Sequence, residues 1–273
     1  MAGRNNQFSF GDFVWFIGVI EDVQDPLMAG RVKVRVHGYH SSDINELPTE
    51  SLPWAMVALP TSGASTQGLG FSPHGLVKGA SVFGFFTDGE SAQLPMVMFS
   101  FHGMNKGTPD VDKLSRGEVV PKQMDNSGQW SEKASGASPQ YPHNKVIRTT
   151  SGHIVEMDDT PGAERLHIYH KSGTYYEFHP DGTLVTKITG EGYTIVQKDL
   201  KVHVHGNLNL VVNGNVTETI DGNKTSNIKG NYKITCNAYS ITTKGSWTNN
   251  IGSSGYIKCG GTLTEKASTI FLN

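Results

Sequence analysis

The side chains in this 273-residue sequence that could do chemistry are eleven histidines, two cysteines and a scatter of carboxylates. His153, His167, His170 and His179 crowd one segment, and His203 and His205 form an HxH pair. Imidazoles hold a transition metal when three or four donors converge at compact spacing. The four clustered histidines fall on different predicted strands, which makes them exposed polar positions on those strands. Val202 and Val204 take the apolar phase around the HxH pair, so both imidazoles are expected to point outward. Asp110, Asp112, Glu118 and Asp125 could supply the two carboxylates of a glycosidase, one of which must be raised in pKa by burial. They lie in a Pro-, Gly-, Ser- and charge-rich segment that cannot build a dry pocket, so solvated charges are expected. The sequence therefore predicts no catalytic residue, no cofactor, no metal site and no enzyme.

The remaining pattern is structural. From residue 188 an aliphatic side chain returns at every eighth position, at Ile188, Val196, Val204, Val212, Ile220 and Ile228. Two residues further on stands a turn residue, which is Gly190, Gly206, Gly214, Gly222 or Gly230, with Lys198 as the exception. Asn follows at Asn207, Asn215, Asn223 and Asn231, a Gly-Asn pair suited to a corner with positive φ. Short alternating runs such as Leu208, Leu210, Val212 precede the glycines, so the unit is strand, corner, strand. So short a strand buries too little apolar area to close a core within one chain. Three copies can each supply one wall of a prism and share its axis, which predicts a trimeric, intertwined, triple-stranded β-helix. Cys236 continues the count with Ala238 in place of glycine. The phase then slips by one residue and resumes at Thr243, Ile251, Cys259 and Ala267, with Gly245, Ser253 and Gly261 two places on. The predicted needle core is thus Ile188, Val196, Val204, Val212, Ile220, Ile228, Cys236, Ile251 and Cys259, with both cysteines as small buried thiols and no disulfide.

Upstream, five β-rich runs lie at residues 13–20, 31–37, 54–59, 80–86 and 95–101. In the second, Val32, Val34 and Val36 alternate with Arg31, Lys33 and Arg35, which reads as an apolar inner face and a solvated outer one. Trp15, Phe16 and Trp54 read as core aromatics. Five short strands in so short a segment suggest an OB-type barrel. The net charge of −2 and scattered basic residues leave no electrostatic footprint for nucleic acid. No apolar run reaches membrane-span length, and the opening MAGRNNQFSF lacks the apolar segment of a secretory signal. The domain reading is an OB-fold domain over 1–104 (barrel from about 8), a linker over 105–144, a β-rich neck over 145–187, and the octad-repeat needle over 188–273. The fold class is all-β.

WFIGVIEDVQDPLMAGRVKVRVHGYH (15–40) followed by LPTESLPW (47–54) resembles the N-terminal OB domain of the baseplate central spikes of T-even phages, the tail-associated lysozyme family. It is also similar to the VgrG spikes of type VI secretion. SGHIVEMDDTPGAERLHIYHKSG (151–173) resembles the segment that leads into the β-helix of both, a widened start of the prism that pairs strands between chains. The family's lysozyme domain would stand where this chain has the 40-residue linker, too short to contain it, so the resemblance does not carry lytic activity.

What the resemblance implies is a homotrimeric central spike at the tip of a contractile tail, made in the host cytoplasm and carried in the virion baseplate. It would dock by the OB domain on a baseplate hub protein and pierce the bacterial envelope mechanically when the sheath contracts. Arg31, Lys33 and Arg35 are alternative hub contacts. Iron held by an HxH motif is a feature of some phage spikes, but His203 and His205 lie far from the C-terminus. The apolar end formed by Ile270, Phe271 and Leu272 suits a tip-capping, PAAR-like protein. The alternative is a VgrG-like spike of a secretion or injection system, disfavoured because the large hub-like N-terminal region of those proteins is missing. A cell-wall or polysaccharide hydrolase and an OB-fold nucleic-acid binder are more distant rivals.

Overall fold

The structure, a computed structural model of one chain, describes residues 13–61, 66, 74–102, 104–105, 108–109 and 132–270. Among these, twelve strands and two short 3-10 turns make the chain all-β. Its residues divide into two units, Met1–Val211 and Val212–Asn273.

In the first unit, β1 (Val14–Asp22), β2 (Val32–Val36), β3 (Trp54–Val57), β4 (Ser81–Phe86) and β5 (Pro95–Phe101) close a barrel in the order β1-β2-β3-β5-β4. The five predicted runs coincide with these strands within two residues. β-branched and aromatic side chains at alternate positions drive the pairing, because each buries one face of a pleated strand. Phe16, Ile20, Val32, Val34, Val36, Ala55, Val82, Phe86 and Val97 form the core. Gly84 permits the closest backbone approach in the barrel. A Cβ there would stand 2.2 Å from the Met96 carbonyl oxygen and 2.7 Å from the Phe16 ring.

Two expectations about the barrel are corrected. Lys33 and Arg35 are buried, and β2 is covered on both faces. The connection after β2 folds back over its outer side and meets both cations with main-chain carbonyls. Lys33 Nζ donates to Thr49 O at 3.2 Å and Glu50 O at 2.6 Å. Arg35 donates to Ser41 O at 2.5 Å, to Leu47 O at 2.7 Å and to the Glu21 carboxylate. Trp15 is the second correction: it is 64% exposed, whereas its neighbour Phe16 is buried. Trp15, Ile17 and Val19, alternate residues of β1, face away from the core, and that stretch of the wall is apolar. Trp54 is half-buried beneath Arg31 and Lys33, whose charges lie 5.4 and 5.1 Å from its ring centroid.

The loop between β1 and β2 is clamped by Asp25. Its carboxylate accepts from the backbone N–H groups of Leu27, Ala29 and Arg31 at 2.9–3.1 Å and pairs with the Arg31 guanidinium at 2.7 Å. The Arg31 guanidinium and these N–H groups hold the Asp25 carboxyl well below the usual carboxylate range.

A small hairpin follows, β6 (Met104–Asn105) with β7 (Thr108–Pro109). The next sheet is an antiparallel meander of β8 (Asn144–Arg148), β9 (Ile154–Asp158), β10 (Arg165–Tyr169), β11 (Tyr175–Phe178) and β12 (Leu184–Lys187). Its strands pair within the chain, where pairing between chains had been expected. The turns DDTPG (158–162), KSG (171–173) and HPDG (179–182) join β9 to β10, β10 to β11 and β11 to β12, with Gly162, Gly173 and Gly182 each at positive φ. Beyond β12 no strand forms through residue 270, and every residue there is exposed.

Candidate functional site: an inverted sheet and an exposed octad repeat

Turns of fixed length lock the register of the β8–β12 sheet, and the register decides which side chains share a face. On one face Glu156 stands opposite His167 and His167 opposite Glu177, with Asp158 opposite Arg165 in the next row. On the other face the rows are Val155, Ile168, Tyr176 and Met157, Leu166, Phe178, continued by Ile147 and Leu184. The usual polarity is inverted, since the charged face is buried and the apolar face is exposed.

Residues 132–143 lie across the charged face. Ser135 Oγ donates to Glu177 Oε1 at 2.7 Å, and the Gln140 N–H donates to Thr160 Oγ1 at 2.9 Å. Lys187 pairs with Glu132 at 2.8 Å. Beneath them Arg165 bridges two fully buried carboxylates, 2.6 Å from Glu156 Oε2 and 3.0 Å from Glu177 Oε2. His167 Nδ1 lies 2.9 Å and His179 Nε2 3.0 Å from Glu177. Asn144 Nδ2 donates to Glu156 at 2.9 Å. Burial pushes the Tyr175 phenol up to about 12, assisted by the nearby Glu132 and Glu177 carboxylates.

This network corrects the reading of the histidines. His167 and His179 are buried with a ring nitrogen beside Glu177, while His170 is exposed and His153 half-buried. The rings of His153 and His170 lie 4.5 Å apart, but His170 Nδ1 accepts from the Ser172 backbone N–H at 3.2 Å. His203 and His205 are both exposed, with rings 4.6 Å apart and edge-on. Among the described residues no three potential ligands gather as a metal site. Asp110, Asp112, Glu118 and Asp125 lie outside the described residues, as do Phe271 and Leu272. The cross-strand sequence Glu, His, Glu, between turns of known length, was the signal that could have disclosed the network.

The octads are visible in the backbone. Within the first unit, bends fall at 189–190, 197–198 and 205–206; within the second they fall at 213–214, 221–222 and 229–230. The one-residue slip is present too, as a bend at 237 followed by bends at 244–245, 252–253 and 260–261. Lys198 bends like the glycines. None of Gly190, Gly206, Gly214, Gly222 and Gly230, nor the Asn after them, has positive φ, so the expected left-handed corner is corrected. The corner uses dihedrals open to any residue, which is why Lys198 and Ser253 fit it. A Cβ on any of those five glycines would meet nothing within 4 Å. Ile188, Val196, Val204, Val212, Ile220, Ile228 and Ile251 are 44–54% exposed, against 75–77% for Val202, Leu208 and Leu210. Cys236 and Cys259 are exposed free thiols in this single chain.

A closed five-stranded barrel, a meander sheet and an eight-residue repeat thus define the class as an all-β chain of barrel and repeat. Residues 35–151 match the Gp5 N-terminal OB domain, and residues 206–229 match the Gp5 C-terminal repeat in three copies. The chain is 34% identical over 264 residues to Protein Gp5 of Vibrio phage KVP40, covering 72% of this chain and 63% of that one. It is 47% identical over 79 residues to the pre-baseplate central spike protein Gp5 of Enterobacteria phage T4, 27% of this chain and 14% of the relative. The chain therefore matches the models of both Gp5 modules, with an OB fold in its barrel, and it spans less than two thirds of the curated relatives it matches.

Proposed function

We propose that the chain is a structural central spike of a phage tail baseplate. Its OB barrel docks on a hub protein, the sheet over 145–187 forms a neck, and residues 188–273 of three copies wind into a β-helix that crosses the envelope when the sheath contracts. The observation that carries this reading is the run of regularly spaced aliphatic side chains left in solvent by a single chain. Three copies would bury them together on one axis, with Ile188, Val196, Val204, Val212, Ile220, Ile228, Cys236, Ile251 and Cys259 inside. The repeat glycines support it too. Nothing within the chain selects glycine at these positions, whereas a neighbouring chain passing close to the backbone would. The exposed apolar face of the neck asks for the same symmetry.

The role is mechanical, without catalysis. Strands paired between chains must break many hydrogen bonds together, which gives slow unfolding under load. A PAAR-like protein capping the C-terminal end belongs to the same reading. The test is antibody labelling of purified virions with serum against residues 212–273. Label confined to the distal tip of the tail supports the spike, and label elsewhere or none on virions refutes it. Peptidoglycan zymography of the full chain should show no clearing.

A further inference from the structure

The net charge of −2 over the whole chain conceals an uneven distribution. Residues 188–222 carry two lysines, Lys198 and Lys201, against the carboxylates of Glu191, Asp199, Glu218 and Asp221. Residues 223–273 carry six lysines against the single carboxylate of Glu265, a side-chain charge of +5, with no arginine and no histidine. Lys224 pairs with Glu218, but among the described residues Lys229, Lys233, Lys244, Lys258 and Lys266 have no ion-pair partner. Assembly of several copies cannot neutralise them, because each copy brings the same excess.

Aromatic side chains are interleaved with these lysines. Tyr232, Tyr239, Trp247 and Tyr256 are each 66–85% exposed. Two corners repeat one arrangement, Lys229-Gly230-Asn231-Tyr232 and Lys244-Gly245-Ser246-Trp247, with the backbone bending at 229–230 and 244–245. In both, the lysine opens the bend and the ring follows three residues later. A surface that only had to stay in solution would carry charges of mixed sign, as residues 188–222 do. It would also gain nothing from large rings left in water.

We propose that the exterior of residues 223–273 binds the surface of an anionic phospholipid bilayer, the lysines meeting headgroup phosphates and Tyr232 and Trp247 settling at headgroup depth. Tyr and Trp collect at membrane interfaces because each ring joins an apolar body to a polar tip, and ammonium groups within a Debye length are drawn to the negative surface potential. The cation type separates this surface from a nucleic-acid reader. Guanidinium is the group that grips nucleic-acid phosphates bidentately and stacks on bases, whereas the lysine ammonium is a point charge on a flexible stem that follows mobile headgroups. The inference rests on the spike reading for where this surface acts, and it adds attraction to a role otherwise mechanical.

The experiment is cosedimentation of the full-length chain with vesicles of phosphatidylcholine, with and without phosphatidylglycerol, at low and high salt. The preference for anionic vesicles should be at least about twentyfold, the product of two engaged lysines at about fivefold each, and should collapse at high salt. Lys229→Gln with Lys233→Gln and Lys244→Gln should cut anionic binding at least about tenfold. Lys198→Gln with Lys201→Gln should bind like the parent. Tyr232→Ser with Trp247→Ser should weaken binding at least about threefold without changing its salt dependence. Native mass spectrometry checks that each variant keeps the parent's oligomeric state. Equal partition into both vesicles, or a triple variant within about twofold of the parent, overturns the inference. Tighter binding to single-stranded DNA than to anionic vesicles in a gel shift overturns it in favour of nucleic acid. A parent chain that binds neither vesicle overturns it too, while label at the distal tip of virions still upholds the spike. Label elsewhere on the virion, with anionic binding intact, refutes the spike reading and supports the lipid surface.

Discussion

Replacing Arg165 by Ala would strand two carboxylates in the interior of the β8–β12 sheet. Glu156 and Glu177 are both fully buried, and Arg165 is the guanidinium that touches them, at 2.6 and 3.0 Å. Removing one partner from a buried ionic group costs about 3–5 kcal/mol, because the charges left behind lose compensation without regaining water. Solvent is kept out by residues 132–143, so little relief is available without opening that cover. The loss should appear as local opening rather than global unfolding, which makes native-state hydrogen exchange of the full-length chain the suitable assay. Amides of Val155, Leu166 and Ile168 should exchange between two and three and a half orders of magnitude faster, at about 1.4 kcal/mol per decade. Arg165→Met combined with Glu156→Leu and Glu177→Leu should restore part of the protection, since the two carboxylates leave together with the guanidinium that compensated them. Exchange rates changed by less than about fivefold in Arg165→Ala would refute the reasoning and mean that water reaches the carboxylates.

Other expectations follow from the barrel and the repeat. Gly84→Ala should destabilise the barrel by about 1–3 kcal/mol, read by thermal melting, because its Cβ has no room beside the Met96 carbonyl and the Phe16 ring. Asp25 has its folded pKa depressed below the ordinary value near 3.8, so its stabilising effect is complete above that value and is lost as pH falls through the folded one. Asp25→Asn should therefore lower the melting temperature at pH 7 and flatten its decline in acid. Val212→Glu would set three like charges on the proposed axis and should abolish a detergent-resistant oligomer, whereas His203→Ala with His205→Ala should leave it intact, both read on unboiled gels.

Local periodicity made the strands legible, and long-range cover did not. The five barrel runs and the octad bends follow from side-chain alternation and turn residues, both properties of neighbouring positions. Lys33 and Arg35 show the limit. Their alternation with Val32, Val34 and Val36 is genuine, but the loop that buries them begins after β2 and reaches back with the carbonyls of Ser41, Leu47, Thr49 and Glu50. Trp15 illustrates the opposite error, because an aromatic on an apolar outer wall reads the same as one in a core. In the β8–β12 sheet the alternation was plain, yet the rule that apolar faces turn inward chooses the wrong face for a single chain. Glu156, His167 and Glu177 are covered by a segment with no periodic signal, and Val155, Ile168 and Tyr176 are left for contacts a lone chain does not make.

The central claim is that three chains share one axis along the repeat, and its most direct test is native mass spectrometry of the full-length chain before and after exposure to warm SDS. The account predicts a single species at three times the 29.6 kDa chain mass that survives the detergent. A monomer under native conditions would contradict it.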